Sequence, residues 1–393
     1  MIRKIKFSNF YSFKGMQELS FTANKKKTYS YYNSKFGDQI TKIAGFVGKN
    51  ASGKTNIMRL FGFIHEFICI SSRQENQNSD SNYFFKTFFN NKLKSDFSIE
   101  FEKDNKIVCY AVSIKNNVVI SESLYLKEFK NNSRKKRVFK RIEGNKISLN
   151  KKYFKGFKNN FLENIRFDVS LVAFLKTHYN IEVINFVFDY FLNLKGNFTE
   201  QGSINSVHHQ IAALNIYLDN PGLKKKMEKF VSRFDLGLSG FDIIKIKNDN
   251  KFSISVTGLH AVEEENNKLS FSYESRGTQS LFFILANIFY ALEKGGVVVI
   301  DEIESGFHPE ALAKLISYFI DESEKLNVQL IFSSNFLDFM NKLDMHQVYL
   351  VNKDEKGSSF SYRLNQIKNI RSDENFYSKY MSGAYGAFPK IRV

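Results

Sequence analysis

The sequence predicts an α/β fold with a buried core sheet, an antiparallel strand subdomain and a helical insertion. Strands and helices alternate towards both ends of the 393-residue chain. A glycine-rich turn joins a buried strand, Ile43–Val47, to an amphipathic helix, Thr55–Ile70. A fully apolar strand, Val297–Ile300, ends in two acids. Buried parallel strands between helices are typical of α/β proteins.

The remaining elements of the predicted head lie on either side of a helical stretch. No linker rich in Pro, Gly or Ser divides the chain, so we predict one head from residues 1–154 and 236–393, with 155–235 as the helical insertion. The other predicted strands are Ile2–Phe10, Phe97–Phe101, Val108–Ile114, Val118–Leu126, Phe252–Val256, Leu269–Tyr273 and Val328–Phe332.

The composition excludes several classes of protein. Hydrophobic residues make up 43% of the chain, enough for a sizeable core. The two cysteines, Cys69 and Cys109, cannot form a disulfide framework, and no Cys/His cluster has zinc-site spacing. The longest apolar run, Leu281–Leu292, is too short to span a bilayer, and the N-terminus reads as a strand. We therefore expect a cytoplasmic protein without a membrane segment.

The net charge of +17 is concentrated in one segment, which suggests an anionic partner. Residues 127–158 contain 13 Lys or Arg and two acids. A solvated hairpin and a contact with nucleic acid or an acidic protein both explain this segment. The candidates for nucleic-acid contact are its densest cations, Arg134, Lys135, Lys136 and Arg137.

The strongest motif is the pattern G-x-x-x-x-G-K-[ST] at Gly48–Thr55, here called the phosphate loop. Its glycines let successive N–H groups point at phosphates, and the helix that follows adds its positive end. Lys54 would reach the β- and γ-phosphates of a nucleotide, and the Thr55 hydroxyl would hold Mg²⁺. The predicted ATP-binding residues are Gly48, Lys49, Asn50, Ala51, Ser52, Gly53, Lys54, Thr55 and Asn56.

Two acids and a second helix start complete the candidate site. Asp301, at the end of a buried strand, suits a Mg²⁺ ligand, and Glu302 could orient or deprotonate the attacking water. Ser275–Gln279 places a hydroxyl and a glycine at a helix N-terminus, which is either a second anion site or an ordinary cap. Two phosphate-type sites so far apart can act on one nucleotide if two copies meet head to tail.

This ordered set of motifs resembles the ABC-type ATPases of the SMC, RecF and Rad50 kind. The run Asp301–Pro309 and the tail Tyr380–Pro389 are similar, more narrowly, to prokaryotic AAA15-type ATPases of abortive-infection and OLD-like phage-defence systems. The resemblance implies an ABC-type ATPase head that uses ATP and Mg²⁺ and forms a homodimer or larger homo-oligomer. It also implies a separately encoded effector as partner, such as a TOPRIM-type nuclease.

The resemblance assigns further roles by position. Ser275, Arg276, Gly277 and Thr278, here called the signature segment, would close over the γ-phosphate bound by the partner copy. Glu304 and His308 would belong to a loop at the dimer interface. Asn335 stands where these ATPases usually place a switch histidine, and asparagine cannot carry a proton or positive charge, so hydrolysis could be slow. Arg276 could act on the γ-phosphate or form an interface salt bridge.

Three functions remain open at this level. The first is an ATPase that senses infection and controls a separate effector. The second is a DNA-repair ATPase acting directly on DNA, which the basic segment favours. The third is an ATP-gated scaffold that does not hydrolyse ATP, which Asn335 favours.

Overall fold

The computed structural model describes residues 1–24, 30–72, 85–129, 134–142, 146–157, 162, 165–198, 207–234, 237–248, 251–262, 265–305 and 308–386. Its strands are β1 (Ile2–Ser8), β2 (Gln17–Ser20), β3 (Thr22–Ala23), β4 (Tyr31–Asn33), β5 (Gln39–Thr41), β6 (Ile43–Val47), β7 (Ser95–Lys103), β8 (Lys106–Lys115), β9 (Val118–Glu128), β10 (Lys136–Ile142), β11 (Lys146–Leu149), β12 (Lys195–Gly196), β13 (Leu238–Asn248), β14 (Lys251–Val262), β15 (Glu265–Ser270), β16 (Gly296–Ile300), β17 (Val328–Ser334), β18 (Val348–Lys353) and β19 (Ser359–Arg363). Its helices are α1 (Lys54–Cys69), α2 (Leu171–His178), α3 (Glu182–Leu192), α4 (Val207–Asp219), α5 (Pro221–Val231), α6 (Arg276–Lys294), α7 (Pro309–Glu322) and α8 (Phe376–Met381).

The core is a six-stranded sheet in the order β12-β16-β17-β6-β18-β19. All neighbours pair in parallel except β19, which runs antiparallel to β18. Every residue of β6 and β17 is buried, as expected for parallel strands covered on both faces. The carboxyl ends of β6, β16 and β17 therefore meet at one edge of the sheet, where ligands bind in α/β folds.

A seven-stranded antiparallel sheet forms the second layer, in the order β11-β10-β9-β8-β7-β1-β2. Burial alternates along β7 and β8, so one face of this sheet packs on the core and the other faces solvent. The buried face shares a hydrophobic core with α1, α2 and α3. These two sheets confirm the predicted α/β fold class. The fold combines a core sheet that carries the phosphate loop with an antiparallel strand subdomain.

The segment from 155 to 235 is divided between the two hydrophobic cores. Helices α2 and α3 pack with α1 and the antiparallel sheet, whereas α4 and α5 pack against α6. Between these helix pairs, β12 pairs in parallel with β16. The sequence did not indicate this short strand, and the boundaries of the insertion at 155 and 235 stay a prediction.

Two smaller sheets complete the described fold. Strands β13, β14 and β15 form an antiparallel meander, and β3, β5 and β4 form the other. The strand predicted over Leu269–Tyr273 is wrong in its second half. Strand β15 ends at Ser270, and Phe271–Tyr273 forms a 3₁₀ turn. The Phe271 ring packs at a tilt against Phe282 and edge-on against Phe283, both on α6. Packing of the aromatic ring thus overrides the local strand pattern.

A buried ion pair joins the antiparallel sheet to α2. The side chains of Glu122 and Arg141 are both 0% exposed and lie 3.6 Å apart. Glu122 also accepts hydrogen bonds from the Tyr110 hydroxyl and the Leu171 N–H, and Arg141 donates to the Val169 carbonyl oxygen at 2.6 Å. Burial raises the pKa of Glu122, although Arg141 opposes that effect.

We expect Arg141→Ala to lower the free energy of unfolding by about 3–5 kcal/mol, because it leaves the Glu122 carboxylate buried without its cation. Urea unfolding of both single variants and of the Glu122→Ala/Arg141→Ala double variant measures the coupling. The double variant should lose much less than the sum of the single losses. Glu18→Ala, which breaks the exposed pairs with Lys4 and Lys6, serves as the control and should cost about 0–1 kcal/mol. Additive losses at Glu122 and Arg141 would contradict the pairing.

None of the helices in the described ranges has the length and apolar character needed to cross a bilayer.

Candidate functional site

The phosphate loop joins β6 to α1 at the carboxyl edge of the core sheet. Helix α1 begins at Lys54, and Gly53 before it has a φ of 117°, which residues with a side chain rarely adopt. At Gly48, a Cβ atom would lie 2.1 Å from the carbonyl oxygen of Val351. Both glycines of the motif are therefore required by the backbone and its close neighbours.

Side chains from distant segments brace this loop. The Ser359 hydroxyl lies 2.6 Å from the Ser52 carbonyl oxygen and 2.7 Å from the Ser12 hydroxyl. The Asn56 side-chain amide donates to the same Ser12 hydroxyl at 2.8 Å. The loop is thus held between the turn after β1 and the start of β19, and the Asn56 side chain takes part in this bracing.

The Lys54 ammonium group is enclosed by its own loop. Its Nζ donates to the carbonyl oxygens of Gly48 at 2.7 Å and Lys49 at 3.1 Å. Burial lowers the pKa of Lys54. Three carboxylates oppose that effect, in decreasing order Glu304, Asp301 and Glu302. One cation and three anions from separate segments therefore converge at the end of the core sheet.

Asp301 directly follows β16 and is 1% exposed. The Ser333 hydroxyl donates a short hydrogen bond to Oδ1. Burial raises the pKa of Asp301, and the hydrogen bonds from Ser333 and from the Thr55 hydroxyl lower it. Within the described residues, Oδ2 of Asp301 is buried and has no hydrogen-bond partner of standard geometry.

These oxygens fit a magnesium ion. Mg²⁺ prefers one or two carboxylates together with hydroxyl, phosphate and water oxygens, rather than a cage made of protein side chains alone. A buried carboxylate oxygen without a partner costs free energy unless a cation or donor reaches it. Thr55 and Asp301 would hold the ion, as the sequence predicts.

Glu302 differs from Asp301 in exposure and backbone conformation. Its side chain is exposed and its φ is 51°, a left-handed conformation that costs about 1–3 kcal/mol and clusters at functional sites. Its N–H donates to the Ser333 hydroxyl oxygen at 2.8 Å, which fixes this turn. Although the side chain is exposed, partial desolvation of its carboxyl group raises the pKa of Glu302, and the charges of Asp301 and Glu304 raise it further.

Glu304 and Asn335 meet beside the phosphate loop. The Asn335 N–H donates to Oε1 of Glu304 at 2.7 Å. In the part of the chain that the structure describes, Oε2 of Glu304 is buried without a hydrogen-bond partner. His308 lies apart from them as the exposed cap of α7, where its Nδ1 accepts from the Glu310 N–H at 3.4 Å. The predicted interface loop thus brings Glu304 into the site; Gly306 and Phe307 lie outside the described residues.

Two residues of this site were missed by the sequence analysis. Ser333 binds both the Asp301 carboxylate and the Glu302 N–H, and it lies two residues before Asn335, the position expected for a switch residue. Asn197, after β12, accepts from the Asp301 N–H at 2.7 Å and donates to the Asp301 carbonyl oxygen at 2.9 Å. The pattern Ser333-Ser334-Asn335 could have indicated the first, whereas no local signal marks Asn197.

The signature segment forms a capped helix start. Ser275 is the N-cap of α6, and its hydroxyl accepts from the Thr278 N–H at 3.0 Å. Ser275 and Arg276 are exposed, and Gly277 is half-buried. The hydrogen bonds of these side chains stay within the segment. Within the described residues, this helix start is thus accessible, and none of its side-chain hydrogen bonds joins it to the phosphate loop.

A family comparison matches most of this chain. Residues 43–334 match the family described as "AAA domain, putative AbiEii toxin, Type IV TA system". This span includes the phosphate loop, the signature segment, Asp301 and Glu302. The chain belongs to this family. Members of AAA families are typically ATPases, and the site described above lies within the matched region.

Three solved structures of SMC heads show a distant likeness across nearly the whole chain. The SMC head bound to the C-terminal winged-helix domain of ScpA is 15% identical, covers 94% of this chain and 99% of its own, and has a TM-score of 0.49. The SMC head from Thermotoga maritima is 14% identical, with coverages of 92% and 98% and a TM-score of 0.42. The SMC head with an extended coiled coil, bound to a ScpA domain from Pyrococcus furiosus, is 12% identical, with coverages of 93% and 97% and a TM-score of 0.47. No curated protein matches the chain.

The basic segment includes β10 and β11, at the edge of the antiparallel sheet, whereas the phosphate loop follows β6 of the core sheet. Arg134, Lys135, Lys136 and Arg137 are all exposed at the start of β10. Lys135 lies 3.8 Å from Glu100, and Arg137 donates to the Ser148 hydroxyl at 3.3 Å. Exposed pairs of this kind contribute little energy, so these cations stay available to another anion.

The raised pKa of Glu302 sets a test of its role as a base. A carboxylate takes a proton only when ionised, so the rate should fall as the pH drops through the pKa of Glu302. Burial and two neighbouring carboxylates raise this pKa in the free protein, so the acid limb of the kcat/KM profile should lie above the ordinary glutamate value of about 4.3. Hydrolysis rates across pH measure the limb. If the acid limb of the profile persists in the Glu302→Gln variant, it belongs to the titration of another group.

Proposed function

We propose that this protein binds and hydrolyses MgATP, and that its active site is completed by the signature segment of a second copy. The observation that carries this proposal is the convergence of Lys54, Thr55, Asp301 and Glu302 at the carboxyl edge of one parallel sheet. A cation, a hydroxyl, a buried carboxylate and an exposed carboxylate are the groups that phosphoryl transfer to water requires. Release of phosphate from ATP by the purified protein tests it.

In this mechanism, the loop N–H groups and Lys54 bind the β- and γ-phosphates. Thr55 and Asp301 would hold Mg²⁺, which would neutralise charge on the transferred group when bound. Ser333 positions Asp301 through its hydroxyl and supports the strained turn at Glu302. The exposed Glu302 carboxylate orients the attacking water and accepts its proton.

The second copy contributes positively charged groups to the γ-phosphate side of the site. Ser275 and Gly277 present the N-terminal end of α6, a helix of 19 residues, to the γ-phosphate. Arg276 is exposed beside them and adds a cation. This composite arrangement rests on the accessibility of the helix start and on its separation from the phosphate loop along the chain.

We expect Ser275→Arg to leave ATP binding intact and to lower hydrolysis by about two orders of magnitude, because it blocks closure over the γ-phosphate. ATP affinity and turnover, measured on the same preparation, separate these effects. Ser232→Arg, at an exposed position after α5, adds the same bulk and charge and should change neither quantity. Loss of ATP binding by monomeric Ser275→Arg would contradict the composite site.

For the biological role, we propose an ATPase subunit that senses infection and controls a separately encoded effector, such as a TOPRIM-type nuclease. The family description, which names a toxin of a type IV toxin–antitoxin system, supports a role of this class. The motifs at Asp301–Pro309 and Tyr380–Pro389 favour the AAA15-type, OLD-like subclass, although residues 387–389 lie outside the described part. Co-purification of a neighbouring gene product, together with a change in its toxicity when Lys54 is replaced, tests this role.

A second candidate function is an ATPase that acts directly on DNA. The four exposed cations at 134–137 favour it, because phosphate contacts by such residues bind DNA without reading its sequence. Charge reversal at Arg134 and Arg137 should weaken a salt-dependent DNA shift under this alternative. Unchanged DNA binding in that variant would exclude these residues as the contact.

A further inference from the structure

A cavity of about 580 Å³ lies beside the antiparallel sheet, and none of its lining residues belongs to the core sheet. Its walls come from the start of β8, the end of β9, residues 152–157 and the beginning of α3. It shares no residue with the phosphate loop or the signature segment. The function proposed above therefore does not account for it.

Aromatic rings form one wall of this cavity. Phe157 packs edge-on against Tyr179, with ring centroids 4.7 Å apart, and against the buried Phe154 at 5.8 Å. Tyr153 and Phe186 also line the cavity, and both are only partly buried. Neighbouring rings hold Phe157 in place while part of its surface stays open. Such rings offer preformed surfaces on which a flat ligand can stack.

Lysines surround these rings. The Lys106 Nζ lies 5.0 Å from the centroid of Phe186, and the Lys152 Nζ lies 5.2 Å from that of Tyr153. Lys155 is an exposed residue of the cavity lining. Lys103 does not line the cavity, but its Nζ lies 5.5 Å from the centroid of the Phe186 ring. Cations beside aromatic faces are suited to a ligand that carries both a π-system and negative charge.

Two carboxylates complete the lining. Glu128 lies 3.9 Å from the Lys152 ammonium, and Glu182 is exposed in the first turn of α3. Carboxylates accept hydrogen bonds from exocyclic amino groups, such as that of cytosine. Thymine and uracil carry no amino group. The lining thus combines stacking surfaces, phosphate-binding cations and acceptors for an amino-bearing base.

We propose that this cavity binds an unpaired, amino-bearing nucleotide of a single-stranded nucleic acid. The base stacks on the aromatic wall, Glu128 or Glu182 accepts from its amino group, and the lysines bind the flanking phosphates. A duplex keeps its bases stacked and paired, so it cannot present one to the cavity without unpairing it. Exposed cations along β10 and β11, including Lys140 and Lys146, provide further phosphate contacts for the strand.

Fluorescence anisotropy with labelled oligonucleotides of about a dozen nucleotides tests the site on the unmodified protein. We expect oligo-dC to bind about fivefold or more tightly than oligo-dT, because thymine has no exocyclic amino group to donate to the carboxylates. An abasic strand with the same phosphates should bind about tenfold more weakly. Equal affinity for the abasic strand, tighter binding of the matching duplex, or no binding at low salt would each overturn the proposal.

Variants locate the binding. Lys106→Glu and Lys152→Glu should each weaken oligo-dC binding by about tenfold and reduce its salt dependence. Lys225→Glu, an exposed change of the same charge on α5, is the matched control and should leave both unchanged. Glu182→Ala should reduce the preference for dC over dT. If all three lysine variants lose the same affinity for oligo-dC, the losses reflect net charge alone, and the proposed site is wrong.

The source of the nucleotide is tested by competition. Free cytidine monophosphate should displace oligo-dC only at much higher concentration, because it lacks the flanking phosphates. Equal affinity of the free nucleotide and the strand would overturn the assignment to a strand. Lys54→Ala should still bind oligo-dC, which separates this site from the ATP site.

Discussion

Replacing Glu302 with Gln is expected to lower ATP hydrolysis by about two to four orders of magnitude while ATP stays bound. Gln has the same shape, so the turn at φ 51° and the hydrogen bond from the Glu302 N–H to Ser333 can be kept. The amide cannot accept the proton of the attacking water. The variant should therefore accumulate as an ATP-loaded, closed dimer.

Single-turnover hydrolysis, ATP affinity and mass in solution measure these effects together. Glu310→Gln is a matched control, because Glu310 is an exposed glutamate in the first turn of α7. It should hydrolyse ATP at the rate of the unmodified protein. If Glu302→Gln turns over ATP at an undiminished rate, Glu302 is not the base, and Glu304 becomes the carboxylate to test.

Replacing Lys54 with Ala is expected to weaken ATP binding by about two orders of magnitude or more. Removing one partner of a buried, charge-assisted contact costs about 2–5 kcal/mol. In this site the change also leaves Glu304, Asp301 and Glu302 without the cation that all three of them face. Repulsion between these carboxylates and the triphosphate then adds to the loss.

Isothermal titration with ATP and Mg²⁺ measures this affinity. Lys325→Ala, an exposed lysine after α7, removes the same charge from a distant position and should bind ATP normally. Thermal unfolding of both variants checks that the fold is kept. ATP binding by Lys54→Ala with unchanged affinity would contradict the assignment of the phosphate loop.

The phosphate loop and the acidic strand end could be predicted because their signals are local. A turn that needs glycine at Gly48 and Gly53 leaves a fixed spacing in the sequence, and a buried parallel strand leaves an apolar run. The end of that run indicated Asp301 and Glu302 directly. The structure places both residues beside Lys54, where the loop and the strand end meet.

The supporting contacts could not be predicted because they depend on tertiary structure. Asn197 approaches Asp301 only because β12 joins the edge of the core sheet, and two residues are too few to give a periodic pattern. Glu304 reaches the phosphate loop through a turn whose conformation the sequence does not specify. The bracing of the loop by Ser12 and Ser359 joins positions more than 300 residues apart, with a separation of 347.

Asn335 occupies the position where the ATPases that this sequence resembles usually have a histidine. The sequence alone identifies an asparagine in place of a histidine and so raises the question of slow turnover. In the structure, the Asn335 N–H binds Glu304, so this position is linked to the site through its backbone, which any residue could supply. The side chain is exposed. Asn335→His would therefore test whether a histidine here accelerates hydrolysis.

The central claim is that two copies complete each active site, and the ATP hydrolysis rate per protomer across protein concentration tests it most directly. Mass in solution is measured at each concentration, with Glu302→Gln as the inactive reference. We predict that the rate per protomer rises with the fraction of dimer and vanishes in the variant. A rate per protomer that stays constant while the protein is monomeric would contradict the composite site.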